Sequence, residues 1–169
     1  METGNPAIRQ SGSGFNIERV SDLETVWLEL KSLFLEFEVY HQAFQPRELV
    51  PDWEERLKQR LRLQDDRLVL LAQAAGEPVG CLVGVIRRDD GLAFDTYGYL
   101  TYAFVREPSR SLGAGRKLLQ EAEAWCRERG ATRIELDVFA ENELGVGFWT
   151  RSGFKPLSLT LSKLLERAS

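Results

Sequence analysis

The stretch that most constrains this chain runs from Tyr99 to Arg129, YLTYAFVREPSRSLGAGRKLLQEAEAWCRER. Tyr97 to Val105 reads as a strand, and Leu118, Leu119, Ala122, Trp125 and Cys126 mark one apolar face of a helix that follows. Between them stands Arg110-x-x-Gly113-x-Gly115, so the helix begins where side chains are smallest. The first N–H groups of a helix have no intrahelical partner and carry the positive end of its dipole, and glycines let an anion approach them closely. A strand that feeds such a turn makes an anion site out of backbone, and a pyrophosphate-bearing cofactor is the natural ligand. Two other phosphate motifs are excluded. A Walker loop needs Gly-Lys-Ser/Thr where this chain has Gly115-Arg116-Lys117-Leu118, and a dinucleotide fingerprint needs a third glycine within the first strand–helix unit.

A length of 169 residues suits one domain with one core, and a single domain over residues 15–169 is expected after a disordered tail at residues 1–14. Lys and Arg number 22 against 26 Asp and Glu, a formal charge of −4, which argues against a nucleic-acid binder. No run approaches the roughly 18 apolar residues that span a bilayer, so no membrane partner is expected. The two cysteines, Cys81 and Cys126, are too few for a disulfide framework and point to a reducing, cytoplasmic setting. One histidine, His41, stands at a loop entrance, and no metal is expected.

Phe15 to Val20 alternates as a first strand. Ser21 with Glu24 fits a capping box ahead of an amphipathic helix that reaches about Tyr40. A second helix is expected from Asp52 to Leu63, then a hairpin of Leu68–Ala75 and Val79–Ile86 about the turn Gly76-Glu77-Pro78. Residues 87–96 read as a loop. After the central helix, Arg133 to Val138 should form a strand parallel to the one before it, and Asn142 to Arg151 a short helix. Phe154 to Leu165 would supply one or two closing strands. The whole is an α/β domain with a mixed, mostly antiparallel sheet of six or seven strands and helices on both faces.

Val105 through Arg116 and Asn142 through Phe154 resemble the GCN5-related N-acetyltransferase superfamily. That family carries Gln/Arg-x-x-Gly-x-Gly/Ala before its central helix, matched by Arg110, Gly113 and Gly115. Downstream, Asn142, Gly145, Phe148, Trp149, Gly153 and Phe154 match a second segment. The resemblance implies a sheet split at a cofactor cleft and the binding of acetyl-coenzyme A as cosubstrate. By that likeness, backbone groups of Phe104 and Val105 pair with the pantetheine arm. Amides from Ser111 through Leu112, Gly113, Ala114 and Gly115 to Arg116 hold the pyrophosphate, Arg110 adds charge, and Asn142 contacts the cofactor from across the cleft.

Acetyl transfer to an alkylamine of pKa about 10.4 requires removing a proton, which costs about 4–5 kcal/mol at neutral pH. Where relatives place a carboxylate on the fourth strand, this chain has Thr101 and Tyr102. Asp95, Glu135, Asp137 and Glu141 remain as bases, with Asp137 the first choice. Relatives carry a tyrosine acid where Trp149 stands, and Tyr102, Tyr99 or Tyr97 would substitute, Tyr102 first. The expected activity is transfer of an acetyl group to a primary amine of a small molecule or peptide by direct attack. The alternative is a catalytically weak acyl-coenzyme A binding or regulatory domain. The acidic pI of 5.2 suits a cationic acceptor, and the alternating LSLTLSKLL suggests an edge that a homodimer would cover.

Overall fold

The computed structural model describes residues 14–88 and 96–163, and the chain divides into two compact units, Met1–Asp137 and Val138–Ser169. The expected tail, save Gly14, and most of the loop at 87–96 lie outside the described residues.

The first unit is built on a sheet in the order β1-β2-β3-β4-β5. Its strands are β1 (Phe15–Arg19), β2 (Arg67–Ala74), β3 (Glu77–Arg88), β4 (Thr96–Val105) and β5 (Ile134–Leu136). The first four pair antiparallel, and β5 runs parallel to β4, as its connection through a helix requires. Helices α1 (Trp27–His41), α2 (Trp53–Leu61) and α3 (Ala114–Glu128) complete the unit. The hairpin between β2 and β3 turns on Ala75 (φ 51°) and Gly76 (φ 85°), a two-residue loop with both dihedrals positive. The turn therefore falls one residue earlier than the expected Gly76-Glu77-Pro78, and Pro78 enters β3 opposite Gln73 at a register shift, where its missing N–H is tolerated.

Alternation along β2 sorts the core into two layers. Val69 and Leu71 join Cys81, Val83 and Phe104 beneath Leu30, Leu33, Phe34, Leu57 and Leu61 of α1 and α2. Leu68, Leu70 and Ala72 point the other way, to the face where α3 buries Leu118, Leu119, Ala122, Trp125 and Cys126. Helices thus lie on both faces, as expected. Both cysteines are buried and free.

Among the described residues the sheet holds five strands, not the expected six or seven, and residues 154–163 form no strand. Leu157, Leu159 and Leu161 there alternate in sequence but have no partner strand among the described residues and stay exposed; Leu165 lies outside the described residues. The Ser21 capping box is also corrected. Asp22 Oδ1 accepts the Glu24 N–H at 3.0 Å and its carbonyl accepts Thr25 Oγ1 at 2.8 Å, starting a 3-10 turn (Glu24–Val26) ahead of α1. Two capping residues side by side offered the same hydrogen bond, and the second took it. The second unit contains α4 (Glu143–Arg151), ended by Gly153 at φ 94°.

Gly98 shows how closely α3 approaches the sheet, because a Cβ there would overlap Cys126 Sγ. Gly98→Ala should cost about 1–3 kcal/mol of stability by overpacking. With Cys126→Ala the nearest remaining atoms stand at 3.5 Å, so the cost should fall below about 1 kcal/mol in a urea-denaturation double-mutant cycle. Additive costs would contradict this packing.

Candidate active site

The site begins with a change of phase in β4. Val83 pairs with Tyr102 but Gly84 pairs with Leu100, so Thr101 is an extra residue on β4. Leu100 therefore faces α3, while Tyr102 and Phe104 face α1. The pairing with β5 stops at Leu100↔Leu136, so residues 101–105 have no strand beyond them among the described residues. Arg106 N–H donates to Val79 carbonyl at 2.8 Å, which by alternation turns Phe104 backbone groups toward β3 and those of Ala103 and Val105 toward the open side. Of the two positions expected to pair with an extended arm, Val105 thus faces outward and Phe104 does not. Part of Val105 is already engaged, since its carbonyl accepts Arg110 Nε at 2.9 Å.

Past Val105 the chain is clamped. Arg106 bonds Glu36 through Nε and through NH2 at 2.7 Å, Ser32 Oγ at 3.0 Å and Pro78 carbonyl at 2.5 Å, tying this point to α1 and the start of β3. A 3-10 turn (Glu107–Ser109) leads to Ser111 at φ 61°, a left-handed conformation that costs an L-residue free energy, and then to Gly113 at φ 103°. Nothing lies within 4 Å of the position a Gly113 Cβ would take. Gly113 has no side chain to cap α3, and the first bond into the helix is Lys117 N–H to Gly113 carbonyl. The amides of Ala114, Gly115 and Arg116 precede that ladder, at the positive end of a 15-residue helix.

Two arginines flank these amides. Arg110 lies over the rings of Tyr40 and Phe104 at 5.1 and 5.9 Å, and Arg116 is exposed; among the described residues neither makes an ion pair. Leu112 is 60% exposed, an apolar side chain at the mouth of the turn. Lys117, a third candidate cation, instead donates to Phe15 carbonyl at 3.2 Å. Ser111 to Arg116 are thus brought together with Arg110 as one backbone-rich, cationic corner.

The acid–base candidates group differently from the expected pair. Asp137 accepts a hydrogen bond from Tyr99 hydroxyl, and Arg87 stacks its guanidinium 3.5 Å from the Tyr99 ring centroid. Burial, followed by the Asp137 hydrogen bond and charge, pushes the Tyr99 pKa up to about 12. Tyr102 packs edge-on against Phe34 and Phe37, with ring centroids at 4.7 and 5.1 Å, and burial raises its pKa too. Its hydroxyl makes no hydrogen bond among the described residues. Glu135 is taken up by Arg133 at 2.6 Å, and Asp95 lies outside the described residues. His41 joins the rings of Phe37, Tyr40 and Phe44, and burial, then Arg47, lowers its pKa. Asn142 belongs to the second unit. It caps α4 there, its Oδ1 accepting Gly145 N–H at 3.0 Å.

Two features went unread in the sequence. The Arg106 clamp joins residues 70 positions apart and leaves no local signal. The bulge does leave one: aromatic residues fall at 97 and 99, then at 102 and 104, an odd-to-even switch that marks one inserted residue.

The Acetyltransferase (GNAT) family model matches residues 27–154. Over 64 residues the chain is 36% identical to the uncharacterized N-acetyltransferase YobR of Bacillus subtilis (strain 168), 38% of this chain and 26% of that one, so the match spans about a quarter of that relative. A candidate acetyl transferase from Pyrococcus furiosus superposes with a TM-score of 0.72 at 26% identity, covering 89% of this chain and 99% of the other. The aminoglycoside N-acetyltransferase AAC(6')-Iy, in complex with CoA, reaches a TM-score of 0.72 at 18% identity over 95% of this chain and 100% of its own. With a family match over most of its length, on a sheet of matching architecture, the chain belongs to the GNAT acetyltransferase family.

Proposed function

We propose that the chain transfers an acetyl group from acetyl-coenzyme A to a primary amine by direct attack. One observation carries this reading: among the described residues, the outer edge of β4 is unpaired beyond Leu100 and leads through a 3-10 turn into a helix start without a side-chain cap, flanked by two arginines that make no ion pair. Family membership and the CoA-bound fold neighbour support it. An extended, amide-bearing arm suits the outward groups of Ala103 and Val105. A pyrophosphate suits the amides of Ala114 to Arg116, with Arg110 and Arg116 opposite its charge.

For the chemistry, Asp137 is the proposed base. Tyr99 holds its carboxylate by a hydrogen bond whose proton stays on the phenol throughout the physiological range, since the Tyr99 pKa is about 12. The amine gives a proton to Asp137, directly or through water, and its lone pair attacks the thioester carbonyl. The C–S bond then breaks, with Tyr102 the proposed hydrogen-bond donor to the departing sulfur. A thiol of ordinary pKa about 8.5 is a tolerable leaving group, so the donor is worth less than the base.

Thiol release over a panel of primary amines tests the reading, and absence of release from every amine would sink it. Asp137→Asn should lower kcat by about 10²-fold or more while leaving the KM for acetyl-coenzyme A near the wild-type value. Arg116→Gln, on an exposed position, should raise that KM roughly tenfold with kcat little changed, as expected for a lost charge-assisted contact. Tyr99 also makes a stability prediction. Its folded pKa of about 12 lies above the ordinary phenol value of 10, so its contribution is fully present below pH 10 and is lost as pH rises toward 12. The stability difference between wild type and Tyr99→Phe should therefore shrink between pH 10 and 12; a constant difference would contradict the assigned bond.

A further inference from the structure

The face of the sheet that carries Tyr99 and Tyr102 also carries a cleft of about 630 Å³, lined by Arg56, Gln59, Arg60 and Arg67. Among the described residues no acidic side chain lines it. Arg56 and Arg60 stand one turn apart on α2, and Arg67 opens β2 on the row that alternation turns toward α2. Arg56 is partly neutralised by Asp52 at 2.9 Å. Arg60 makes no ion pair among the described residues; its guanidinium lies 5.8 Å from the Tyr102 ring. Arg67 Nε is buried and has no hydrogen-bond partner among the described residues. A buried guanidinium donor left unmatched is unfavourable, and a planar oxyanion would satisfy it while pairing with Arg60.

The register ties this cleft to the reacting groups. Arg67 pairs with Val85, Val85 with Tyr99, and Tyr99 with Glu135, so one cross-strand row runs from the cleft to the tyrosine that bonds Asp137. Arg67 and Tyr99 stand two strands apart, about 10 Å. We infer that this cleft takes an anionic group of the acceptor, so that the substrate is an amine that also carries a carboxylate or a phosphate, held by Arg60 and Arg67. The inference rests on the acetyltransferase reading for the amine but not for the anion. It reverses the expectation from the overall acidic charge, because the local lining of the site is basic.

Matched acceptors test it on the full chain: pentylamine against aminopentanoate for a carboxylate, and ethanolamine against phosphoethanolamine for a phosphate. The anionic member of at least one pair should have a kcat/KM higher by about tenfold or more, and Arg60→Gln should reduce that preference to within about threefold. Equal kcat/KM for both members of both pairs, with transfer proceeding, overturns the inference and leaves the acetyltransferase reading intact. A second measurement does not depend on turnover. Inorganic phosphate or glutarate should raise the melting temperature of the wild type, and Arg60→Gln and Arg67→Gln should each remove roughly half of that rise or more. If no amine is acetylated but this loss is seen, the anion site stands and the activity falls; an undiminished rise in both variants overturns the anion site. Because Arg60 is exposed on α2, its variant keeps the fold where the Arg67 variant fails to.

Discussion

Backbone hydrogen-bonding groups must find partners, and β4 is where this structure leaves some of them turned outward. On one side β4 pairs with β3 along its whole length; on the other it meets β5 only from Gly98 to Leu100. The inserted Thr101 sets which residues face that side. It shifts the phase of the strand, so the groups of Ala103 and Val105 point to the side where no strand lies among the described residues. Arg106 then fixes the end of β4 to α1, and Ser111 and Gly113, both left-handed, lead from it into the start of α3. Among the described residues, a strand edge and the helix start that follows it both present backbone donors outside the sheet and helix ladders.

In the proposed reaction the same framework separates binding from chemistry. The groups proposed to bind are backbone amides and arginines on the β4–α3 connection, whose positions follow from local turns and one ion-paired clamp. The proposed acid–base groups are side chains on the sheet face beneath α1 and α2, where the phase shift places Tyr102 on the same side as Tyr99. Asp137 is held by Tyr99 rather than Tyr102, and Arg87 covers the Tyr99 ring. Charge is distributed just as unevenly: a formal charge of −4 conceals two basic corners, one at the start of α3 and one at the cleft between α2 and β2.

Much of this was legible in the sequence. Gly113 and Gly115 announced the helix start because a tight turn beside an anion restricts the choice of residue, and the periodicity of α1 and α3 announced two helical faces. What could not be read were contacts made across long sequence separations. The Arg106–Glu36 clamp, the Tyr99–Asp137 bond and the row joining Arg67 to Tyr99 depend on register, and the switch of aromatic phase along β4 marks the bulge without saying which residues it brings opposite one another. Segment 154–163 erred in the opposite direction. Its alternation is that of a strand, but alternation does not supply a partner, and among the described residues it has none.

The claim that the cofactor is held chiefly by backbone can be examined at the amides themselves. Hydrogen exchange of the full chain, with and without acetyl-coenzyme A, should show slowed exchange at Ala103, Val105 and Ala114 to Arg116, with Phe104 unchanged because its amide already faces β3. Slowed exchange elsewhere while these amides stay at their unliganded rates would contradict it.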